Sequence, residues 1–230
     1  GGRDRATPAP EGPACQALRN AAQRHGVYVC AGLTERAGPA VFNAAVLISP
    51  LGEVLLHHRK LNELDIGHAA YDQGDRLGVA HTPLTTFGLM ICADAQVRDQ
   101  FVTRTLGLMG ADVILSPSAW AVKPGYDERT YPDHYGADWR RSYGAVARDF
   151  RLWVAGCSNV GRVEGGPWHG YSCIGSSLVV DPEGCPALVG PYGERAESLL
   201  LAEIRPEPRP ARGTLWNEVW QKQNGTPGAP

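Results

Sequence analysis

The feature that most constrains the fold is one hairpin pattern used twice among continuous apolar runs. AVLISPLGEVLLHH turns around Pro50-Leu51-Gly52, and SLVVDPEGCPALVG turns around Pro182-Glu183-Gly184. In each, proline presets the φ of the turn and glycine accepts the positive φ that closes it, so both read as hairpins by mechanism. The shared plan points to two related halves. TFGLMIC, ADVILSPSAW and LWVAGCSNV are three more apolar runs of strand length, separated by helical segments at 96–109 and 138–150. Upstream, ACQALRNAAQRHG places Leu18, Ala21 and Ala22 on one helical face and closes on Gly26, ahead of the run VYVCAGL. Strands that are apolar throughout need cover on both faces. With so few helices, the simplest arrangement is two sheets packed together with helices outside, a four-layer αββα sandwich of the α/β class.

The chain's 230 residues, 43% of them hydrophobic, suffice for one large core. A single domain over 13–205 is expected, with irregular arms at 1–12 and 206–230 that are rich in Gly, Pro and Arg or lack periodicity. The net charge of −2 balances 22 basic against 24 acidic residues without a run of either sign, which excludes a nucleic-acid footprint. No apolar stretch approaches the roughly 20 residues of a membrane span, and GGRDRATPAPEG has no signal-peptide core. The expectation is a cytoplasmic protein acting on a small molecule, with no nucleic acid or membrane partner.

Six cysteines are scattered singly, without the C-x-x-C spacing of zinc or dithiol sites, so reduced thiols are expected. Most sit inside apolar runs, where cysteine behaves as a small hydrophobe. Cys92 is different: it ends GLMIC, and Ala93-Asp94-Ala95-Gln96 lead into a helical segment. A thiol at such an elbow meets unpaired N–H groups and partial positive charge, which favour a thiolate and can receive an oxyanion. On that ground Cys92 should be the most readily alkylated of the six. Lys60 ends the hairpin strand LLHHRK, where an ammonium would hold a thiolate or a tetrahedral oxyanion.

In order along the chain, HHRKLNEL, YDQGDRLGV and GLMICADA resemble the nitrilase, or carbon–nitrogen hydrolase, superfamily, which has an Arg-Lys strand end, a later Pro-Gly-Asp-like turn (here Gln73-Gly74-Asp75) and G-x-x-I-C-x-D around the nucleophile. The likeness continues through GADVILSPSAW, LWVAGCSNVG and SLVVDPEGCPALVG, from about Pro13 to Ile204. It implies the αββα fold and a Glu-Lys-Cys triad in which Lys60 and Cys92 are the lysine and cysteine. The triad glutamate of the family precedes the segment matching Pro13 to Gly32, and the expectation is that this chain starts after it. Glu11 reads as a solvated arm residue.

Many members keep a second acidic group between lysine and cysteine. Glu63, Asp65 and His68 lie within reach: His68 by its spacing from Lys60 and Gly74-Asp75, Glu63 by its chemistry. The resemblance also implies an oxyanion site made by the Ala93 N–H and the Lys60 ammonium, and a cleft lined by Ser118, Ala119 and Trp120. The implied reaction is hydrolysis of an amide, carbamoyl or nitrile group through a cysteine thioester, with no cofactor and no metal. The alternatives are acyl transfer through the same thioester, and a catalytically impaired chain serving as a binding or oligomer-forming subunit. A homodimer or larger is implied through the helices at 96–109 and 138–150, with Trp216 and Trp220 packing on a neighbour.

Overall fold

In the computed structural model, residues 5–127 and 136–207 are described. The chain runs α1 (Pro13–His25), β1 (Val29–Ala37), β2 (Ala40–Ile48), β3 (Val54–Arg59), β4 (Val79–His81), β5 (Thr86–Leu89) and α2 (Phe101–Leu108). It continues through β6 (Val113–Ser118), β7 (Ala121–Val122), α3 (Ala137–Phe150), β8 (Trp153–Ser158), β9 (Val160–Arg162), β10 (Ser172–Ile174), β11 (Leu178–Val180) and β12 (Pro186–Val189). Three strands, β1-β2-β3, form one antiparallel sheet. Six strands in the order β12-β11-β8-β6-β5-β4 form the second, in which β5, β6 and β8 run parallel and the outer strands antiparallel. A small sheet of β7, β10 and β9 stands at the strand ends.

Three apolar clusters define the layers. Cys15, Ala22 and Leu18 of α1 pack on Val46, Ile48, Val29 and Leu33, the outer face of the first sheet. Ala45, Leu89, Ile91, Leu56 and Leu115 fill the space between the sheets. Leu106 of α2 and Tyr143, Val146 and Phe150 of α3 pack on Ile114, Val154 and Leu178, the outer face of the second sheet. The expected αββα sandwich is therefore present, and the apolar runs of β6 and β8 are covered on both sides, as parallel strands require.

The two hairpin turns are the same turn. Ser49 N–H donates to Glu53 O and Gly52 N–H to Ser49 O, while the Ser49 hydroxyl accepts from the N–H groups of Leu51 and Glu53. At Asp181 the pattern repeats with Cys185 O and Gly184 N–H, and the Asp181 carboxylate accepts from Glu183 and Cys185. Gly52 and Gly184 take φ of 76° and 81°, the left-handed closure that a side chain would strain. One departure concerns the N-terminal arm: Thr7 bridges Glu35 in parallel register, so the segment around it extends the edge of β1.

Candidate active site

Alternation along β3 sends His57 and Arg59 to the α1 side and Leu56, His58 and Lys60 toward the second sheet. Arg59 and His57 bind the buried Glu35 of β1 there, and the Arg59 guanidinium lies 4.0 Å from the Phe42 ring centroid. On the inner side, Lys60 N–H donates to Asn43 O at 2.8 Å and Lys60 O accepts from Gly74 N–H at 2.9 Å. A Cβ on Gly74 would lie 2.1 Å from the Arg59 carbonyl oxygen. The glycine of the Gln73-Gly74-Asp75 turn is what lets the chain close onto the lysine strand.

Beyond Lys60 the chain bends so that Glu63 returns beside it. The Lys60 ammonium donates to Glu63 Oε1 at 3.0 Å, the Leu64 N–H to the same oxygen at 3.1 Å, and Asn43 Nδ2 to Oε2 at 3.5 Å. Both side chains of this pair are buried. Gly67 makes the room, since a Cβ there would meet Glu63 Oε1 at 2.5 Å.

Cys92 sits where β5's continuation breaks into a 3-10 turn, Cys92–Gln96, with φ of +48° at the cysteine itself. For a non-glycine residue that conformation costs of order 1 kcal/mol or more, and it persists because the surroundings over-determine it. Asp94 does this. Its fully buried carboxylate accepts from His58 Nε2 at 2.8 Å, Ile91 N–H at 2.9 Å, Asn62 N–H at 2.8 Å and Leu61 N–H at 3.1 Å. The Asn62 side chain adds a bond to Ala93 O at 2.6 Å. The cysteine elbow and the end of the lysine strand are thus tied through one carboxylate.

The Lys60 charge and the polar groups of Ala119, Ala93 and Ser118 favour the Cys92 thiolate. Burial nevertheless dominates and pushes the thiol above its ordinary pKa. This differs from the expectation of a thiolate favoured by a helix end: the helical element at Cys92 is a five-residue 3-10 turn, and α2 begins only at Phe101. Burial also raises the Cys30 thiol, to about 12, with Cys157 beside it adding to the rise. All six cysteines are free, and Cys157 and Cys185 are exposed. Cys157 departs from its reading as a small core hydrophobe because, near the end of β8, it lines both cavities of this face of the sheet and is exposed through them.

These groups share a cavity of about 590 Å³, lined by Lys60, Glu63, Cys92, Ser118 and Ala119 at its floor and by Leu33, Leu64, Tyr71, Val163 and Trp168 higher up. The Tyr71 and Trp168 rings stand 6.4 Å apart. An adjoining cavity of about 700 Å³, walled by Ser176, Leu188 and residues 196–200, does not reach Cys92. Of the three candidates for the second acidic group, Glu63 lines the site; Asp65 and His68 are exposed on a 3-10 turn and are not among the lining residues. Trp120 departs from its expected place: it is 2% exposed, stacked on Trp139 at 4.5 Å within the α3 core, because its side chain points to the helix layer. Tyr71, Trp168 and Asn43 were not legible as site residues, since loop and strand positions far apart in sequence carry no shared signal. Among the described residues, no group of three or more His, Cys, Asp or Glu is placed to hold a metal ion. Trp216 and Trp220 lie outside the described residues.

A family model described as carbon-nitrogen hydrolase matches residues 2–210. A nitrilase of Pyrococcus abyssi is 30% identical over 197 residues, covering 85% of this chain and 66% of that protein. An N-carbamoylputrescine amidase of Solanum lycopersicum is 28% identical over 208 residues, covering 87% and 67%. A hydrolase of Schizosaccharomyces pombe is 30% identical, with the match spanning 58% of its length. Among solved structures, a carbon-nitrogen hydrolase from Helicobacter pylori G27 superposes with a TM-score of 0.68 at 23% identity, covering 78% of this chain and 62% of that one. The chain thus spans at most about two thirds of the length of these relatives.

Proposed function

Because the chain belongs to the carbon–nitrogen hydrolase family, we propose that it hydrolyses a non-peptide carbon–nitrogen bond of a small neutral amide or nitrile through a thioester on Cys92. The observation that carries this reading is the convergence of the Cys92 thiol, the Lys60 ammonium and the Glu63 carboxylate on one cavity floor. Glu63 takes the thiol proton as sulfur attacks the amide carbon. The carbonyl electrons move to oxygen, where Lys60 and the Ala93 N–H stabilise the charge. Collapse breaks the C–N bond, and the amine leaves with the proton. Water, deprotonated by Glu63, then cleaves the C–S bond and releases the acid.

Among the described lining residues the only charges are Lys60 and Glu63, which pair with each other. A charged acyl chain would lose hydration without gaining a counter-ion there, so a neutral substrate is favoured. Free cysteines throughout suit a reducing compartment, and we place the protein in the cytoplasm. No described helix is long and apolar enough to cross a membrane.

The test is ammonia release from short neutral amides. Cys92→Ala should abolish it. Glu63→Gln should lower it about 10²–10⁴-fold, the range for a general base, while His68→Gln leaves it unchanged. Full activity in Glu63→Gln would refute the assignment of the base, and full activity in Cys92→Ala the reaction itself.

A further inference from the structure

Two aromatic rings line the cavity that holds Cys92 and belong to none of the apolar clusters that join the layers: Tyr71 and Trp168. They come from distant segments and meet with centroids 6.4 Å apart and planes tilted by 38°. Each is fixed through its backbone. The Tyr71 N–H donates to Gly67 O at 2.9 Å, and the next residue is clamped on β2: Asp72 N–H donates to Val41 O at 2.7 Å while Asp72 Oδ2 accepts from Val41 N–H at 2.9 Å. Trp168 lies in the turn between β9 and β10, where Gly170 N–H donates to Val163 O and Val163 N–H to Tyr171 O, both at 2.8 Å. Tyr171 N–H closes onto Trp168 O at 3.0 Å, and Gly166 and Gly170, with φ of 71° and 86°, make the bends on either side. Rings that serve no core and are held in place before a ligand arrives are preorganised for contact with one.

The chemistry of the cavity divides it. Its described charges, Lys60 and Glu63, pair with each other on the floor beside Cys92. The wall that carries the rings adds Leu33, Leu64 and Val163, while Glu164 and His169, the ionisable neighbours of Val163 and Trp168, are exposed and do not line it. Thr34 and Asn159 are uncharged polar members of the lining. At about 590 Å³ the cavity falls in the range of roughly 300–1,000 Å³ that encloses drug-sized ligands, so a bare acetamide would leave most of it to water. An apolar group filling that space takes ring faces and aliphatic wall out of water, and a flat aromatic group adds an offset or edge-to-face contact with the rings. A carboxylate or ammonium in the same place would lose hydration and gain no counter-ion. We propose that Tyr71 and Trp168 are specificity-determining residues that bind the acyl side group of the substrate, and that this group is an uncharged aromatic ring, as in an arylacetamide. The inference rests on Cys92 attacking the amide carbon at the floor, with the ring directed to the wall.

Binding is read without turnover in the full chain carrying Cys92→Ala, by titration calorimetry with acetamide, cyclohexylacetamide, phenylacetamide and the anionic succinamate. Phenylacetamide should bind at least about tenfold more tightly than acetamide, from the apolar area it buries. It should also bind about two- to tenfold more tightly than cyclohexylacetamide, the worth of an aromatic contact beyond its area. Succinamate should bind no more tightly than acetamide. Adding Trp168→Ala should weaken phenylacetamide about tenfold and acetamide less than about threefold, because the smaller amide leaves the wall uncovered. Tyr71→Leu, which keeps an apolar side chain and removes the ring, should weaken phenylacetamide by about two- to tenfold and serves in place of Trp168→Ala should that variant lose its far-UV circular dichroism. Phenylacetamide binding no more tightly than acetamide, or both amides weakened equally by loss of a ring, overturns the proposal. Equal binding of the cyclohexyl and phenyl amides overturns the choice of an aromatic group, and tighter binding of succinamate the choice of an uncharged one. Tight phenylacetamide binding without its hydrolysis by the parent chain would count against the proposed function and uphold the aromatic wall. Hydrolysis of acetamide with no preference for phenylacetamide would do the reverse.

Discussion

Asp94 is the place where a single substitution should do most harm. Replacing it with alanine leaves four donors without an acceptor: His58 Nε2, Ile91 N–H, Leu61 N–H and Asn62 N–H. The His58 and Ile91 donors are buried, and His58 Nδ1 already faces no partner, so the ring has no second bond to fall back on. The bonds to Leu61 and Asn62 are partly buried, and water can reach them in part. An orphaned buried donor costs about 1–3 kcal/mol and a partly hydrated one less, so Asp94→Ala should lose about 3–6 kcal/mol. That is a large fraction of the roughly 5–15 kcal/mol that holds a typical domain folded. Asp94→Asn retains one oxygen for Leu61 and Asn62 but turns an NH₂ toward Ile91 N–H, so it should lose about half as much. Urea unfolding read by tryptophan fluorescence measures both, provided the m-value is unchanged between variants. The Cys92 φ of +48° is held from this carboxylate, so the rate of Cys92 alkylation by iodoacetamide should also change in Asp94→Asn. A loss below about 1 kcal/mol for Asp94→Ala would refute the claim that Asp94 ties the elbow to the lysine strand.

Two further outcomes follow from other parts of the structure. Burial pushes Glu35 upward, but the hydrogen bonds and charges of Arg59 and His57 outweigh it and hold the carboxyl below its usual range. Its contribution to stability is therefore present above the unfolded-state value and lost as pH falls through the lower folded value, so the stability gap between the parent and Glu35→Gln should narrow on acidification below about pH 4, and a gap that widens would contradict this. On α2, Phe101 and Leu108 are 62% and 54% exposed, apolar side chains on one of the helices expected to meet a second copy. Light scattering should show a dimer or larger at micromolar concentration, reduced by Phe101→Glu with Leu108→Glu; a monomeric parent would remove the assembly reading.

The layer architecture was legible because periodicity and turn chemistry are local. Apolar runs of strand length, the Pro-x-Gly turns at 50–52 and 182–184, and the helix ending at Gly26 each depend on residues within a few positions of one another. Lys60 and Cys92 were legible for a different reason: the short motifs around them, HHRKLNEL and GLMICADA, resemble those of a known family. What the sequence could not decide was the choice between Glu63 and His68, five residues apart. The bend after Lys60, held by Asn43 on a neighbouring strand and by the space at Gly67, turns Glu63 into the cavity and His68 out to solvent. The same limit applies to Trp120 and to the Cys92 thiol. A two-residue step along the chain from Ser118 crosses from the cavity to the α3 core, and burial reverses the thiolate preference that an elbow alone suggests. Local patterning determines which segments become strands and helices; which side chains meet, and in how dry a setting, is decided only when distant segments pack, because desolvation and hydrogen-bond partners are properties of the assembled layers.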